Sequence, residues 1–346
     1  MILLDPAKLP AGFNDIGALD EFLARPTQAL IDDLAAVPGD ILILGVGGKM
    51  GPSLARLARN AAPERRIIGV ARFSEPGLRE RLQACGVETI ACDLLDRNAV
   101  AALPRAPNVI FMAGRKFGSS GNQSLTWAVN AHVPAIVGEN FQSARIVAFS
   151  TGNVYPMVDV LHGGATEATP PAPLGEYAQS CLARERLFEH FSQLHGTPGR
   201  LFRLNYAIDM RYGVLFDLAS KVHAGMPVDV TMGHVNVIWQ GDANAQALRC
   251  LRHCTVPASA INISGPETLP VRFLAEEFAR RFARAAIITG AEAPTAWLTN
   301  TATACGLFGY PGVPLARMLD WVADWVARGG SSLGKPTKFE VRSGDF

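Results

Sequence analysis

The chain has 346 residues, of which 49% are hydrophobic and 18% charged, a balance typical of a compact globular protein and unlike a disordered or fibrous one. The 32 basic and 31 acidic residues give a formal net charge of +1, with no basic stripe that could neutralise a run of phosphates. Composition and charge therefore argue against a disordered, fibrous or nucleic-acid-binding protein.

The sequence also lacks the patterns of a signal peptide, a membrane span or a metal site. Asp5 follows the first four residues, and no stretch of about 18 residues is apolar without a charge. Six scattered cysteines favour reduced thiols, and Cys250, His253 and Cys254 lack the fourth ligand of a tetrahedral zinc site. We expect a cytoplasmic protein without a metal, whose partner is a small molecule and not a nucleic acid or a membrane.

Residues 1–38 form an N-terminal extension, in which apolar residues at helical spacing predict a helix from Thr27 to Val37. From Asp40 onward, short apolar runs alternate with helical segments. The predicted strands are Ile41–Gly45, Ile67–Ala71, Thr89–Cys92, Val109–Met112, Arg145–Ser150 and Leu201–Leu204. Such runs are typical of a parallel sheet covered by helices on both faces. Residues 39–205 therefore predict a doubly wound α/β domain of the Rossmann type.

The alternation of strands and helices loosens after Asn205. A further strand at Ala260–Ile263 and a helix beginning at Val271 predict a smaller substrate lobe over residues 206–328, with some elements returning to the first domain. Residues 329–346 begin Gly-Gly-Ser-Ser and show little periodicity. They predict a tail that is flexible or docked on a partner.

A glycine-rich segment lies between the first strand and the helix that follows it. Gly45, Gly48 and Gly51 are spaced three residues apart. The first permits a tight turn, the middle one lets backbone amides approach a pyrophosphate, and the last lets the helix pack on its strand. This context favours a dinucleotide site over a purely structural turn. The residues assigned to the loop are Gly45, Gly47, Gly48, Lys49, Met50 and Gly51.

The end of the second strand indicates which dinucleotide binds. An Asp or Glu there accepts hydrogen bonds from the ribose 2′-hydroxyl of NAD, whereas this chain has Ala71 and Arg72. A guanidinium suits a 2′-phosphate, so Arg72 predicts NADP, with NAD as the second choice. The alternative is that Arg72 is a solvated surface residue.

Together with several later motifs, these segments resemble the extended short-chain dehydrogenase/reductase family, the NAD(P)-dependent epimerase/dehydratase group. The resemblance covers roughly residues 40–328. Its motifs are Cys92-Asp-Leu94, Ile110-Phe-Met-Ala-Gly114, the run from Val147 to Tyr155, Arg203-Leu-Asn205 and Leu307-Phe-Gly-Tyr-Pro311. The resemblance implies that the cofactor also contacts Asp93, Leu94, Met112, Ala113, Gly114, Asn130 and Tyr177.

The same resemblance implies the catalytic residues. Thr151 corresponds to the catalytic hydroxyl after the fifth strand, and Tyr177 to the catalytic tyrosine. The residues expected to contact the substrate are Ser150, Thr151, Asn153, Asn205 and His234, although a lone histidine is more often structural.

The sequence departs from the family at one position of the catalytic motif, because Tyr-x-x-x-Lys is replaced by Tyr177 followed by Cys181. An ammonium one helical turn from the tyrosine favours the phenolate, and a neutral thiol does not. Ala113-Gly-Arg-Lys116 is similar to the Ala-Gly-x-Lys element of UDP-galactose 4-epimerases, so Lys116 is a candidate replacement. Arg184 is another candidate, but it better fits a surface or interface ion pair.

The substrate lobe favours a small substrate. Members of the family that bind nucleotide sugars carry an arginine two residues after a glycine, whereas this chain has Val235 after Gly233. We expect an NAD(P)-dependent oxidoreductase or epimerase-like enzyme acting on a hydroxyl or carbonyl compound such as a sugar, sugar acid or lactone without a nucleotide.

The alternatives are a catalytically impaired dinucleotide-binding sensor or regulatory subunit, and a structural partner. Leu187, Phe188 and Phe191 on the Tyr177 helix predict a homodimer.

Overall fold

The computed structural model describes residues 2–116 and 121–345. The strands in chain order are β1 (Ile41–Leu44), β2 (Ile67–Ala71), β3 (Glu88–Ala91), β4 (Asn108–Phe111), β5 (Arg145–Thr151), β6 (Val158–Asp159), β7 (Gly199–Leu204), β8 (Ala207–Ile208), β9 (Val228–Asp229), β10 (His234–Val235), β11 (Ile238–Trp239), β12 (Ser259–Ile263), β13 (Leu269–Pro270), β14 (Ile288–Thr289) and β15 (Thr295–Ala296). The helices are α1 (Ile16–Leu23), α2 (Gln28–Ala35), α3 (Gly51–Ala61), α4 (Leu78–Ala84), α5 (Arg97–Ala101), α6 (Gln123–Trp127), α7 (Val133–Asn140), α8 (Gly175–His195), α9 (Val214–His223), α10 (Gln240–Arg249), α11 (Val271–Arg281), α12 (Ala302–Phe308) and α13 (Leu315–Ala327). Within the described residues, no helix combines the length and the apolarity needed to cross a membrane.

Seven strands form one parallel sheet in the order β12-β7-β5-β4-β1-β2-β3. Successive residues of a strand point to opposite faces, so Ile41 and Ile43 pack with α2, α3 and α10, whereas Leu42 and Leu44 pack with α5, α7 and α8. The prediction of a doubly wound α/β fold is therefore confirmed, and the predicted strands agree with the observed ones to within two residues at each end.

One strand predicted among the elements of the second lobe belongs to the sheet of the first. Strand β12 pairs with β7 in parallel, from Ser259 opposite Arg200 to Ile263 opposite Leu204. Ile261 and Ile263 are fully buried in the core of the first lobe, which explains why the chain returns there.

The N-terminal extension is helical and packs on the rest of the chain. The predicted helix is α2, and the Thr27 hydroxyl caps it by accepting a hydrogen bond from the amide of Leu30. Helix α1 was not predicted. Its Phe22 ring lies 5.4 Å from that of Trp321 on α13, so the extension covers part of the second lobe.

The expectation of a flexible or partner-docked tail is wrong for residues 329–345. Phe339 is fully buried in the core of the second lobe, and the Arg342 guanidinium donates to the backbone and the hydroxyl of Thr295. A single buried aromatic in a polar stretch leaves no periodic signal, and for this reason the sequence pattern did not reveal the anchor.

The aromatic side chains that suggested a homodimer are used inside the chain. Phe188 packs against Phe111 with ring centres 5.2 Å apart, and Phe191 lies against Gly138 of α7. Both phenylalanines are buried, so they provide no exposed apolar surface, and the homodimer stays a prediction without that support.

Candidate active site

In the glycine loop between β1 and α3, the backbone packs too closely at two positions for any residue other than glycine. Gly45 has a φ of +92°, and a Cβ there would lie 2.5 Å from the backbone nitrogen of Ala113. A Cβ at Gly51 would lie 2.1 Å from the carbonyl oxygen of Val46. Among the described residues, no side chain caps the start of α3, so its first-turn amides suit an anion such as a pyrophosphate.

A cavity of about 260 Å³ opens beside the loop. Its lining includes residues predicted to bind the dinucleotide, namely Gly45, Gly47, Gly48, Arg72, Asp93, Leu94, Met112, Ala113 and Gly114. Arg72 follows β2 and is exposed, whereas Met50 and Gly51 lie buried at the start of α3. The glycine cradle and the uncapped helix fit a dinucleotide.

A second cavity, of about 120 Å³, meets the glycine loop at Lys49. We call it the catalytic cavity; it is lined by Lys49, Lys116, Ser150, Thr151, Asn153, Tyr177, Leu204, Asn205, Tyr206, Ala207, Tyr212, Val214 and Thr337. Lys116 follows β4 and Thr151 ends β5, and the carboxyl ends of these neighbouring parallel strands share one edge of the sheet. Tyr177 joins them from the first turn of α8.

The side chains of Thr151 and Cys181 lie near enough to the Tyr177 hydroxyl for hydrogen bonding to influence its pKa. Burial raises the pKa of Tyr177 well above its ordinary value, Cys181 raises it further, and Arg184 and the Thr151 hydrogen bond act in the opposite direction. Burial also raises the pKa of the Cys181 thiol, which therefore stays neutral at pH 7. Cys181 thus cannot replace the positive charge of the family lysine.

Lys116 brings an amino group to the same tyrosine from another element. Its Nζ atom lies 5.7 Å from the centre of the Tyr177 ring. Burial lowers the pKa of Lys116 to about 8, and the neighbouring Cys181 opposes that change. At pH 7 the side chain is therefore still largely an ammonium, held beside the phenol.

Lys49 enters the catalytic cavity from the glycine loop. Its Nζ atom lies 3.2 Å above the centre of the Tyr212 ring, a cation–π contact. Burial lowers the pKa of Lys49 to about 7, and Asp209 opposes that change. Lys49 was predicted to contact the cofactor; it lines the catalytic cavity and a third, neighbouring cavity, but not the dinucleotide cavity.

Asn130 holds the segment before Lys116 against α8. It lies in a π-helical turn, Ala128–His132, and its amide nitrogen donates to the Arg115 carbonyl and to Ser180. Its amide oxygen accepts from the Arg115 amide at 2.8 Å and from Arg184 at 2.9 Å. Asn130 lines neither the dinucleotide cavity nor the catalytic cavity. It instead holds the backbone next to Lys116 in place.

The expectation that Arg184 forms a surface or interface ion pair is wrong. The side chain is 5% exposed, and its guanidinium donates to the carbonyl oxygen of Phe149 at 2.7 Å and to Asn130. It is buried because it satisfies oxygen atoms at the junction of β5 and the π-helical turn.

Ser150 lines the catalytic cavity, but its hydroxyl donates to Glu185 at 2.5 Å. Glu185 in turn accepts two hydrogen bonds from Arg203, and both of these charged side chains are buried. Arg203 also donates to the hydroxyl of Tyr155 at 2.6 Å. This network fixes the end of β5, on which Thr151 lies.

The remaining predicted substrate residues divide into two groups. Asn153 and Asn205 line the catalytic cavity, with Asn153 accepting a hydrogen bond from Thr151. His234 does not line it; burial lowers the pKa of His234, and Glu292 opposes that change. Within the described residues, no group of three or more potential ligands could hold a metal ion.

Sequence reasoning missed six residues that line the catalytic cavity, of which Tyr206, Tyr212 and Thr337 are polar and Leu204, Ala207 and Val214 are apolar. Tyr206 and Tyr212 follow β7, and Tyr206 has a φ of +45°, which a motif search does not reveal. Thr337 comes from the C-terminal segment, more than 150 residues after Tyr177, so only the tertiary fold places it there.

The sequence profile of the NAD dependent epimerase/dehydratase family matches residues 41–242, from the first strand through the start of α10. None of the curated proteins matches the chain significantly.

Solved structures share the fold at low sequence identity. MoeE5 in complex with UDP-glucuronic acid and NAD is 19% identical, with a TM-score of 0.68, over 84% of this chain and 100% of that one. UDP-glucuronic acid 4-epimerase from Bacillus cereus in complex with NAD is 17% identical, with a TM-score of 0.69, over 84% and 99%. dTDP-glucose 4,6-dehydratase from Bacillus anthracis in complex with NAD is 14% identical, with a TM-score of 0.71, over 84% and 97%. Since the profile covers more than half of its length and the site geometry agrees, the chain belongs to the NAD-dependent epimerase/dehydratase family of enzymes.

Proposed function

We propose that the chain is an NAD(P)-dependent oxidoreductase or epimerase acting on a small compound with a hydroxyl or carbonyl group. The observation that carries this proposal is that Thr151, Tyr177 and Lys116 line one cavity beside the glycine loop. When bound in the adjoining cavity, a nicotinamide dinucleotide supplies the hydride chemistry.

The three side chains have separate roles in the proton transfer. The Thr151 hydroxyl orients the substrate oxygen, and Tyr177 takes the proton of that oxygen or returns it. The Lys116 ammonium, 5.7 Å from the centre of the Tyr177 ring, would stabilise the phenolate by its charge and so act against the effect of burial on the pKa of Tyr177. Lys116 thereby has the electrostatic role of the lysine that is missing one turn after Tyr177.

The substrate is a small molecule without a nucleotide. The catalytic cavity, at about 120 Å³, is well below the roughly 300–1,000 Å³ of pockets that enclose drug-sized ligands. Among the described residues that line it, the basic ones are Lys49 and Lys116, and their ammonium forms favour an acidic substrate such as a sugar acid over a neutral sugar. MoeE5 is bound to UDP-glucuronic acid, so the proposed substrate would differ from that ligand by the missing nucleotide.

The preferred cofactor is NADP. Arg72 lines the dinucleotide cavity directly after β2, where a 2′-phosphate would meet its guanidinium. The similar structures contain NAD, which is the second choice.

A substrate panel tests the proposed function. The purified chain is incubated with NADP or NAD and free hexuronic acids, free hexoses, lactones or UDP-sugars, while reduced cofactor is followed by absorbance and epimers by anion-exchange chromatography. We expect turnover of a free acid, its loss in Lys116→Met, and no change in Lys8→Met, since the Lys8 side chain is 84% exposed. Turnover of UDP-sugars alone would contradict the substrate proposal.

The alternative function is a dinucleotide-binding sensor without turnover. The neutral thiol of Cys181 beside Tyr177 favours it. Cofactor binding without any turnover across the panel, together with turnover created by Cys181→Lys, would support this alternative.

A further inference from the structure

The C-terminal segment, residues 331–345, crosses from the second lobe to the catalytic helix. Near its start, the amide of Leu333 donates to the carbonyl of Arg211. Phe339 then anchors the middle of the segment in the core of the second lobe, and Glu340 pairs with Lys221 of α9. At its end, Gly344 packs on Gly175, two residues before Tyr177, where a Cβ on Gly175 would lie 2.4 Å from the Gly344 carbonyl oxygen.

Thr337 lies midway along this path and lines the catalytic cavity. Its backbone amide and its hydroxyl both donate to one carboxylate oxygen of Asp217, at 2.8 and 2.5 Å. Thr337 is 2% exposed, and Asp217 belongs to α9. The position of Thr337 in the cavity wall is therefore fixed by a half-buried carboxylate as well as by the anchor at Phe339.

The segment also adds positive charge around the cavity. Lys338 is close enough to Lys116, and Lys335 to Lys49, for each to contribute to lowering the pKa of its neighbour. Lys335 lines an adjacent cavity that it shares with Lys49. An anionic group of a substrate in the catalytic cavity would thus lie near two lysines of the first lobe, Lys49 and Lys116. The lysines of the C-terminal segment would add to the positive charge around it.

The geometry points to the C-terminal segment as the wall that limits the size of the substrate, with Thr337 as a specificity-determining residue. The inference rests on the proposed function for the identity of the cavity. A nucleotide attached to the substrate would have to displace the segment at Thr337, its one residue in the cavity wall, whereas a free sugar acid would not. The wall thus selects a small anionic substrate.

Chemical labelling tests the wall without any knowledge of the substrate. The full chain, a chain ending at Leu333 and the variant Thr337→Ala are treated with N-hydroxysuccinimide acetate, and the acetylation rate of each lysine is read by peptide mass spectrometry. We expect Lys49 and Lys116 to react at least roughly tenfold faster in the shortened chain, as buried groups do once they are exposed, and Lys8 to react equally in all three. Equal rates for Lys49 and Lys116 in the full and shortened chains would overturn the inference.

Ligand binding then tests the selectivity of the wall. Calorimetry on the NADP-saturated proteins uses glucuronic acid and UDP-glucuronic acid as probes. We expect UDP-glucuronic acid to bind to Thr337→Ala or to the shortened chain at least about tenfold more tightly than to the full chain, as expected when a clash of about 1.4 kcal/mol is removed. Equally tight binding of UDP-glucuronic acid to all three proteins would refute the wall. Failure of NADP to stabilise any of the three would instead contradict the proposed function, because the dinucleotide cavity does not include the C-terminal segment.

Thr337→Ala also guards against misfolding of the shortened chain. It leaves the anchor at Phe339 and the hydrogen bond from the Thr337 amide to Asp217 in place, and it removes the side-chain atoms beyond Cβ, including the hydroxyl that donates to Asp217. If Thr337→Ala keeps the melting temperature of the full chain and still gains UDP-glucuronic acid binding, the change is due to the wall and not to unfolding.

Discussion

The Nζ atom of Lys116 lies 5.7 Å from the centre of the Tyr177 ring, although Lys116 follows β4 and Tyr177 begins α8. The cation therefore comes from a loop at the edge of the sheet and not from the helix that carries the tyrosine. As a result, position 181 of α8 can hold a buried thiol while the tyrosine keeps a cationic neighbour.

Replacing Lys116 should slow the chemical step. We expect Lys116→Met to lower kcat by about 100-fold or more, the usual contribution of assisted proton transfer, while Lys116→Arg retains part of the rate. Because Lys116 acts through Tyr177, the pH profile of kcat in Lys116→Met should also move to higher pH. A wild-type rate and an unshifted profile would refute this role, and Lys8→Met is the control.

The same lysine should destabilise the fold at neutral pH. The pKa of Lys116 is lowered to about 8, so between about pH 8 and 10.5 the unfolded chain binds more protons than the folded one. The cost of burying the ammonium is complete below pH 8 and disappears as the pH rises through this window. We expect Lys116→Met to raise the free energy of unfolding by about 2 kcal/mol at pH 7, after allowance for partial exposure, and by much less at pH 10.5. Urea titrations at both pH values measure this, and an equal effect at both would count against the shift.

Arg72 should determine the choice of dinucleotide. Loss of a charged hydrogen bond costs about 1.5–3 kcal/mol, so Arg72→Ala should weaken NADP binding roughly 10- to 100-fold and leave NAD binding nearly unchanged. Calorimetric titration with both cofactors gives the ratio. Tighter binding of NAD than NADP by the unmodified chain would show that Arg72 is only a solvated surface residue. Arg79, which contacts Phe73 nearby, offers the control Arg79→Ala.

The buried pair of Glu185 and Arg203 should be important for stability. Removing one partner leaves an uncompensated buried charge, so Arg203→Met should lower the free energy of unfolding by about 3–5 kcal/mol. Glu189→Gln, on the same helix but in a more exposed ion pair, should cost less than about 1 kcal/mol. Urea unfolding followed by circular dichroism compares them, and similar losses in both variants would contradict the argument.

Local geometry explains which parts of the site could be predicted from sequence. Gly45 is required by its positive φ and Gly51 by its contact with Val46, five residues earlier, and because both requirements are local, their spacing predicts the loop. Thr151 and Tyr177 follow from motifs at fixed distances along the chain. The position of Arg184 could not be predicted from a motif, because its partners are a carbonyl and a side-chain amide on other elements. A buried arginine with such partners has the sequence pattern of a surface residue.

Long-range contacts explain what sequence could not predict. Thr337 reaches the catalytic cavity only because Phe339 is anchored in the second lobe and Asp217 holds its hydroxyl. The placement of β12 in the main sheet likewise depends on pairing with β7, more than 50 residues earlier in the chain. Periodicity identifies a strand, but it does not identify the neighbour of that strand.

The position of β12 at the edge of the sheet means that the two lobes are interleaved along the chain. A fragment ending at Asn205 would contain every strand of the sheet except β12, and β7 would then become the edge strand. Its unpaired amides and carbonyls, from Gly199 to Leu204, would form a template for pairing with another copy. The first lobe on its own would therefore be prone to aggregation, and the second lobe protects it by supplying β12.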